Sequence, residues 1–123
     1  MAKILIVDDE QNIRNILCET LKKDEYEIFE ASSGQEAIDI LDSNAVDLMI
    51  TDLVMPGKTG LDLIMEIKEK IPEINIIAIS GGGGINGRFD YLPIAQLIGA
   101  NNIIRKPFSM ADIKKIVSDL LAA

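Results

Sequence analysis

Acidic residues that directly follow apolar runs are the first feature of this chain with chemical content. Asp8, Asp9 and Glu10 follow Ile4–Val7, Asp52 follows Leu48–Thr51, Ser80 follows Ile74–Ile79, and Arg105 and Lys106 follow Ile103–Ile104. Taken singly, an aspartate in such a place is a helix cap or a solvated turn, roles that suit its short carboxylate. Taken together, the residues form an ordered set. Carboxylates gathered in one place raise one another's pKa unless a cation compensates them. A hard divalent ion does so: Mg2+ (or Mn2+) takes octahedral oxygen ligands, keeps several waters, and is held by one or two carboxylates plus phosphate oxygens. Asp9 and Asp52 are the first-choice ligands, with Asp8 close behind and acting partly through water.

Asp52 leaves an apolar stretch, Leu48-Met49-Ile50-Thr51, and enters a turn spelled Leu53-Val54-Met55-Pro56-Gly57. A carboxylate so placed can act as a nucleophile and form an aspartyl phosphate when a metal neutralises the incoming phosphoryl group. Lys106 would pair as a point charge with one phosphoryl oxygen and Ser80 would donate a hydroxyl hydrogen bond to another. Gly81, lacking a side chain, leaves room for a phosphoryl donor to approach. Positioning and charge neutralisation are what phosphoryl transfer requires.

These residues need a frame that brings them to one edge. The apolar runs are too short for helices and read as strands buried on both faces, with Tyr26–Ala31 as a fifth strand of mixed exposure. Between them the spacing becomes helical: Ile13, Ile16, Leu17, Thr20 and Leu21 share a face, as do Ala37, Ile38 and Leu41, then Leu61, Ile64 and Ile67, and finally Ile113, Ile116, Val117, Leu120 and Leu121. Ser33 with Glu36, Thr59 with Asp62, and Ser109 with Asp112 spell helix starts. Pro93 fits a fourth helix only in its first turn, which puts the start near Tyr91. Alternating strands and helices predict an α/β doubly wound domain over 1–123, with helices on both faces of a parallel five-stranded sheet and ligands at the strand carboxyl ends.

Composition narrows the partners. Hydrophobic residues make up 48% and charged residues 26%, enough apolar material for a core. A net charge of -8 opposes unaided binding to nucleic acid or to an anionic membrane. The four apolar residues Ile4–Val7 are too few for a signal peptide or a membrane span. Cys18 is the one cysteine, cannot form an internal disulfide, and is expected as a buried thiol. A cytoplasmic location fits these features.

Asp8-Asp9, Asp52 with Met55-Pro56-Gly57 and Gly60, Ser80-Gly81, and Lys106-Pro107-Phe108 together resemble the receiver domains of response regulators in bacterial two-component systems. The resemblance spans nearly the whole chain. It implies a flavodoxin-like sheet of strand order 2-1-3-4-5, Asp52 as phosphoacceptor, and Asp8 and Asp9 as organisers of the metal, with the Val54 backbone carbonyl as a further ligand. It also implies Ser80 as a switch hydroxyl, Lys106 as the family's lysine, and a cis Lys106–Pro107 bond. The implied partners are a histidine kinase or histidine phosphotransfer protein and a downstream protein target, with the chain a monomer or a phosphorylation-dependent dimer. An enzyme role is not implied beyond assistance to its own phosphorylation and dephosphorylation.

Two positions depart from the family pattern. Ile103 stands where an aromatic residue is usual, three before the lysine, and a glycine-rich loop, Gly81–Arg88, follows Ser80. That loop spells G-x-G-x-x-G at Gly82, Gly84 and Gly87, but a dinucleotide fingerprint belongs to the first strand–helix turn. A switch is expected in which Ser80 moves toward the phosphoryl group and draws this loop with it. Two other functions compete. A metal-dependent phosphatase of the aspartyl-phosphate type would place an acid two residues after the nucleophile, where Val54 stands, and a metal-independent interaction domain would not fill every chemical position. The sequence ends at Ala123, which fits a stand-alone regulator or a part of a longer one.

Overall fold

The computed structural model describes residues 1–80 and 91–122. Gly81 and the G-x-G-x-x-G spelling at Gly82, Gly84 and Gly87 lie outside the described residues. Among the described residues ten elements alternate: β1 Lys3–Val7, α1 Gln11–Lys22, β2 Glu27–Ala31, α2 Gly34–Ser43, β3 Leu48–Asp52, α3 Gly60–Lys70, β4 Asn75–Ser80, α4 Leu92–Leu97, β5 Asn102–Arg105 and α5 Met110–Ala122. The strands pair in parallel as one sheet of order β2-β1-β3-β4-β5. The expected doubly wound α/β fold and its strand order are therefore observed.

Strand alternation divides the core into two layers. Successive side chains on a strand point to opposite faces. Leu5 and Val7 of β1, Met49 of β3 and Ile76 and Ala78 of β4 pack under α2, α3 and α4 with Ala37, Ile38, Leu41, Leu63, Ile64, Ile67, Leu92 and Ala95. Ile4 and Ile6, Leu48 and Ile50, and Ile77 and Ile79 pack on the other side against Leu17, Cys18 and Leu21 of α1 and Ile113 and Val117 of α5. Both faces of the central strands are covered, which is why their sequences are continuously apolar.

Helix starts follow the expected caps. The Ser33, Thr59 and Ser109 hydroxyl oxygens accept from the amides of Glu36, Asp62 and Asp112 at 3.1, 3.2 and 3.1 Å. Glu36 completes its part of the box one residue earlier than the motif requires, accepting from the amide of Ser32 at 2.8 Å. Pro93 falls in the first turn of α4 with Tyr91 as the cap residue.

Four expectations are corrected. Ile16 was placed on the buried face of α1, yet it is 47% exposed. The second strand starts at Glu27 rather than Tyr26, and the fourth at Asn75 rather than Ile74. Ile103 is only half-buried, because β5 lies at the edge of the sheet.

Candidate functional site

Register decides which residues meet at the carboxyl rim. Val7 pairs with Thr51, so the next residues, Asp8 and Asp52, emerge side by side. Asp52 pairs with Ile79, which brings Ser80 to the same rim, and Ser80 pairs with Arg105, which brings Lys106. Asp8 and Asp52 continue the alternation of Ile4, Ile6, Leu48 and Ile50 and so share the α1–α5 side. Ser80 continues the alternation of Ile76 and Ala78 and lies on the α3–α4 side, where it is buried.

The carboxylates of Asp8, Asp9 and Asp52 each offer an oxygen within 4.8 Å of the others. Asp9 is exposed, whereas Asp8 and Asp52 retain 2% and 6% of their accessible surface. Lys106 Nζ reaches between the two buried acids, 3.7 Å from Asp52 Oδ2 and 4.0 Å from Asp8 Oδ2. One ammonium does not offset three carboxylates. Burial pushes the Asp8 carboxyl up to about 6, with the neighbouring Asp52 and Asp9 charges adding to the rise against the amide of Glu10 and Lys106. Burial also raises the Asp52 carboxyl, opposed by Lys106 and by the amides of Val54 and Leu53. Three converging oxygen donors, two of them held in a poorly solvated place, fit a hard divalent cation of the Mg2+ class.

The loop after β3 holds Asp52 from below. The Thr51 hydroxyl donates to the Asp52 carbonyl at 2.9 Å, and the Val54 amide approaches Asp52 Oδ1 at 3.5 Å. Leu53 is tied to Ile79 through its amide, and its carbonyl accepts from Gly60 at 3.0 Å. A Cβ on Gly60 would stand 2.2 Å from the Asp52 carbonyl oxygen and 2.6 Å from the Leu53 Cα, so only glycine lets α3 start this close to the strand. At the far side, the Lys106 amide donates to the Ser80 carbonyl at 2.7 Å, and the Lys106–Pro107 bond is cis as expected.

The structure therefore brings Asp8, Asp9, Asp52 and Lys106 into one cluster and puts Ser80 at its border. Sequence reasoning missed Arg14, whose guanidinium donates to the Asp8 carbonyl at 2.7 Å, and the buried Thr51 hydroxyl. It took Gly60 only as part of a motif, without the close approach that demands it. Among the described residues no helix is long and apolar enough to cross a membrane.

Comparison with known proteins agrees with this geometry. A family model described as the response regulator receiver domain matches residues 4–118. Sporulation initiation phosphotransferase F of Bacillus subtilis is 32% identical over 97% of this chain and 93% of its own length. Response regulator SaeR of Staphylococcus aureus is 33% identical over 98% of this chain but only 51% of its own length. Among solved structures, response regulator TrrA of Thermotoga maritima, in complex with Mg(2+)-BeF, superposes with a TM-score of 0.83 at 34% identity, covering 98% of this chain and 99% of that one. With its fold, its acidic rim and this match over most of its length, the chain belongs to the response regulator receiver domains, the phosphoacceptor regulators of two-component systems.

Proposed function

We propose that Asp52 is the phosphoacceptor and that Asp8, Asp9, Asp52 and the Val54 carbonyl hold Mg2+ (or Mn2+) beside it. The carrying observation is the cluster itself: three carboxylates within 4.8 Å of one another and the Lys106 ammonium 3.7 Å from Asp52. The bound ion would supply neutralisation of the carboxylates and of the transferring group's charge. The chain's own residues do the rest. A carboxylate oxygen of Asp52 attacks phosphorus, the phosphorus–nitrogen bond of a phosphohistidine donor breaks, and the freed imidazole keeps the electron pair and takes a proton. Lys106 would pair with a phosphoryl oxygen, and the Ser80 hydroxyl would donate to another. Support for the magnesium assignment also comes from TrrA with its bound Mg(2+)-BeF.

On this reading the donor is a histidine kinase or histidine phosphotransfer protein, the product acts on a downstream protein target, and the chain works in the cytoplasm as a monomer or a phosphorylation-dependent dimer. It catalyses only its own phosphorylation and dephosphorylation. Movement of Ser80 toward the phosphoryl group would alter the surface of α4 and β5, with Ile103 in place of an aromatic side chain. Incubation with a small acyl phosphate and Mg2+, followed by intact mass, tests the assignment. The wild type gains one phosphoryl group and Asp52→Ala gains none. Equal gain by the variant, or no gain by the wild type, overturns it.

A further inference from the structure

The turn after β1 must aim two adjacent carboxylates at one ion while its backbone leaves the sheet. Three hydrogen bonds fix Asp8 there. Its amide donates to the Ala31 carbonyl at 3.1 Å, which ties it to β2. Its own carboxylate accepts from the Glu10 amide at 2.8 Å. Its carbonyl accepts from Arg14 Nη1 at 2.7 Å, and this third bond comes from the body of α1 rather than from the sheet or the turn. The same guanidinium lies with Nε 3.5 Å from Glu30 Oε1 on β2, and the Arg14 side chain is only 14% exposed.

We infer that Arg14 is a positioning residue for the metal-binding turn: its guanidinium, anchored on Glu30, clamps the Asp8 carbonyl and so sets the direction of the Asp8 and Asp9 carboxylates. The inference rests on the reading that these two residues hold a divalent ion. Two properties of the pair fit the task. A planar guanidinium has donors in fixed directions and can serve a carbonyl and a carboxylate at once, which an ammonium does less well. Glu30 also offsets the guanidinium charge, so the clamp stiffens the turn without repelling an incoming dication. Groups that orient metal ligands from behind change metal affinity when removed, although they never touch the ion.

The test is calorimetric titration of the full chain with Mg2+ alone, for wild type, Arg14→Met, Arg14→Lys and Glu30→Gln, alongside amide NMR shifts of Asp9 and Glu10. Arg14→Met is expected to bind Mg2+ about tenfold more weakly with the two amide shifts displaced, and Arg14→Lys to recover part of the loss. Glu30→Gln leaves an unbalanced guanidinium near the site, so its weakening shrinks as salt is added, whereas that of Arg14→Met does not. A folded Arg14→Met that binds Mg2+ within twofold of wild type overturns the inference. Should that variant not fold, Glu30→Gln decides alone: unchanged shifts and affinity overturn the clamp. A wild type that binds no Mg2+, and is indifferent to Asp9→Asn, overturns the underlying reading instead.

Discussion

At the amino-terminal rim of the sheet, Asp42, Asp47 and Glu73 border a depression of about 930 Å³ that also touches Ala2, Leu120 and Leu121. At the carboxyl-terminal rim, Asp8, Asp9 and Asp52 surround a space that a small ion would fill. The two groups hold the same number of acids, and the first also borders a sizeable hollow. The difference lies in solvent. Asp42, Asp47 and Glu73 are all exposed, and Asp47 is already used as an acceptor for the Lys3 amide at 2.8 Å. Asp8 and Asp52 are buried and share one lysine, and burial disfavours their charged forms, which water would otherwise have stabilised. Burial, rather than acid count, separates a site from a solvated edge.

The contrast is broken most severely at the backbone beneath Asp52. Gly60→Ala would set a Cβ against the Asp52 carbonyl oxygen and the Leu53 Cα, and backbone there is tied to Ile79 and cannot step aside. The expected loss is about 3 kcal/mol, the upper range for overpacking a well-filled core, read from urea unfolding. Gly57→Ala, in the same loop at φ +76° but with open space around it, should lose only about 1 kcal/mol from its left-handed backbone. Equal losses would show that the close approach under Asp52 does not matter.

Neutralising a buried acid should have a smaller effect of the opposite sign. The Asp8 carboxyl stands at about 6 in the folded chain, above its ordinary 3.8, so the folded state holds its proton more tightly than the unfolded one. Below about pH 4 that preference is fully present, and it is lost as pH rises through about 6. Without divalent ions, stability should therefore fall across this window, with Asp52 adding a loss of the same sign. Asp8→Asn keeps an oxygen for the Glu10 amide and should be more stable than wild type by about 2 kcal/mol at neutral pH. Unfolding midpoints from pH 4 to pH 8 in the presence of a chelator check both statements. Affinity for Mg2+ should run the other way, rising with pH as the competing proton leaves.

The positions of Asp8, Asp52, Ser80 and Lys106 were readable because strand alternation and parallel register are local rules: continuously apolar runs imply a sheet covered on both faces, and the residues after each run must reach one rim. Arg14 was not readable, and the error at Ile16 has the same origin. At about 100° per residue, Leu17, Cys18 and Leu21 define a buried stripe whose centre passes through Arg14, with Ile16 well outside it. Treating an arginine as polar removes it from the stripe and rotates the inferred face toward Ile13 and Ile16. Its partner, moreover, is a main-chain carbonyl, which every residue possesses and no sequence pattern marks. Thr51 was hidden for the same reason, since its hydroxyl serves the carbonyl of Asp52.

The smallest expected effect is at the opposite rim, and it tests the comparison from the other side. A triple variant, Asp42→Asn, Asp47→Asn and Glu73→Gln, removes three negative charges that are solvated and lie the length of a strand away from Asp52. A five-residue strand spans roughly 16 Å, beyond the Debye length of about 10 Å at 0.1 M salt. Mg2+ affinity at the carboxyl rim should then stay within about twofold of wild type, and stability within about 0.5 kcal/mol per substitution, as for surface changes elsewhere. Lowering the salt to about 0.01 M lengthens screening to about 30 Å and should reveal a modest loss of affinity, because the whole molecule's field then reaches the site. A large loss at ordinary salt would mean that net charge, and not the burial of Asp8 and Asp52, attracts the ion, and the distinction between the two rims would fail.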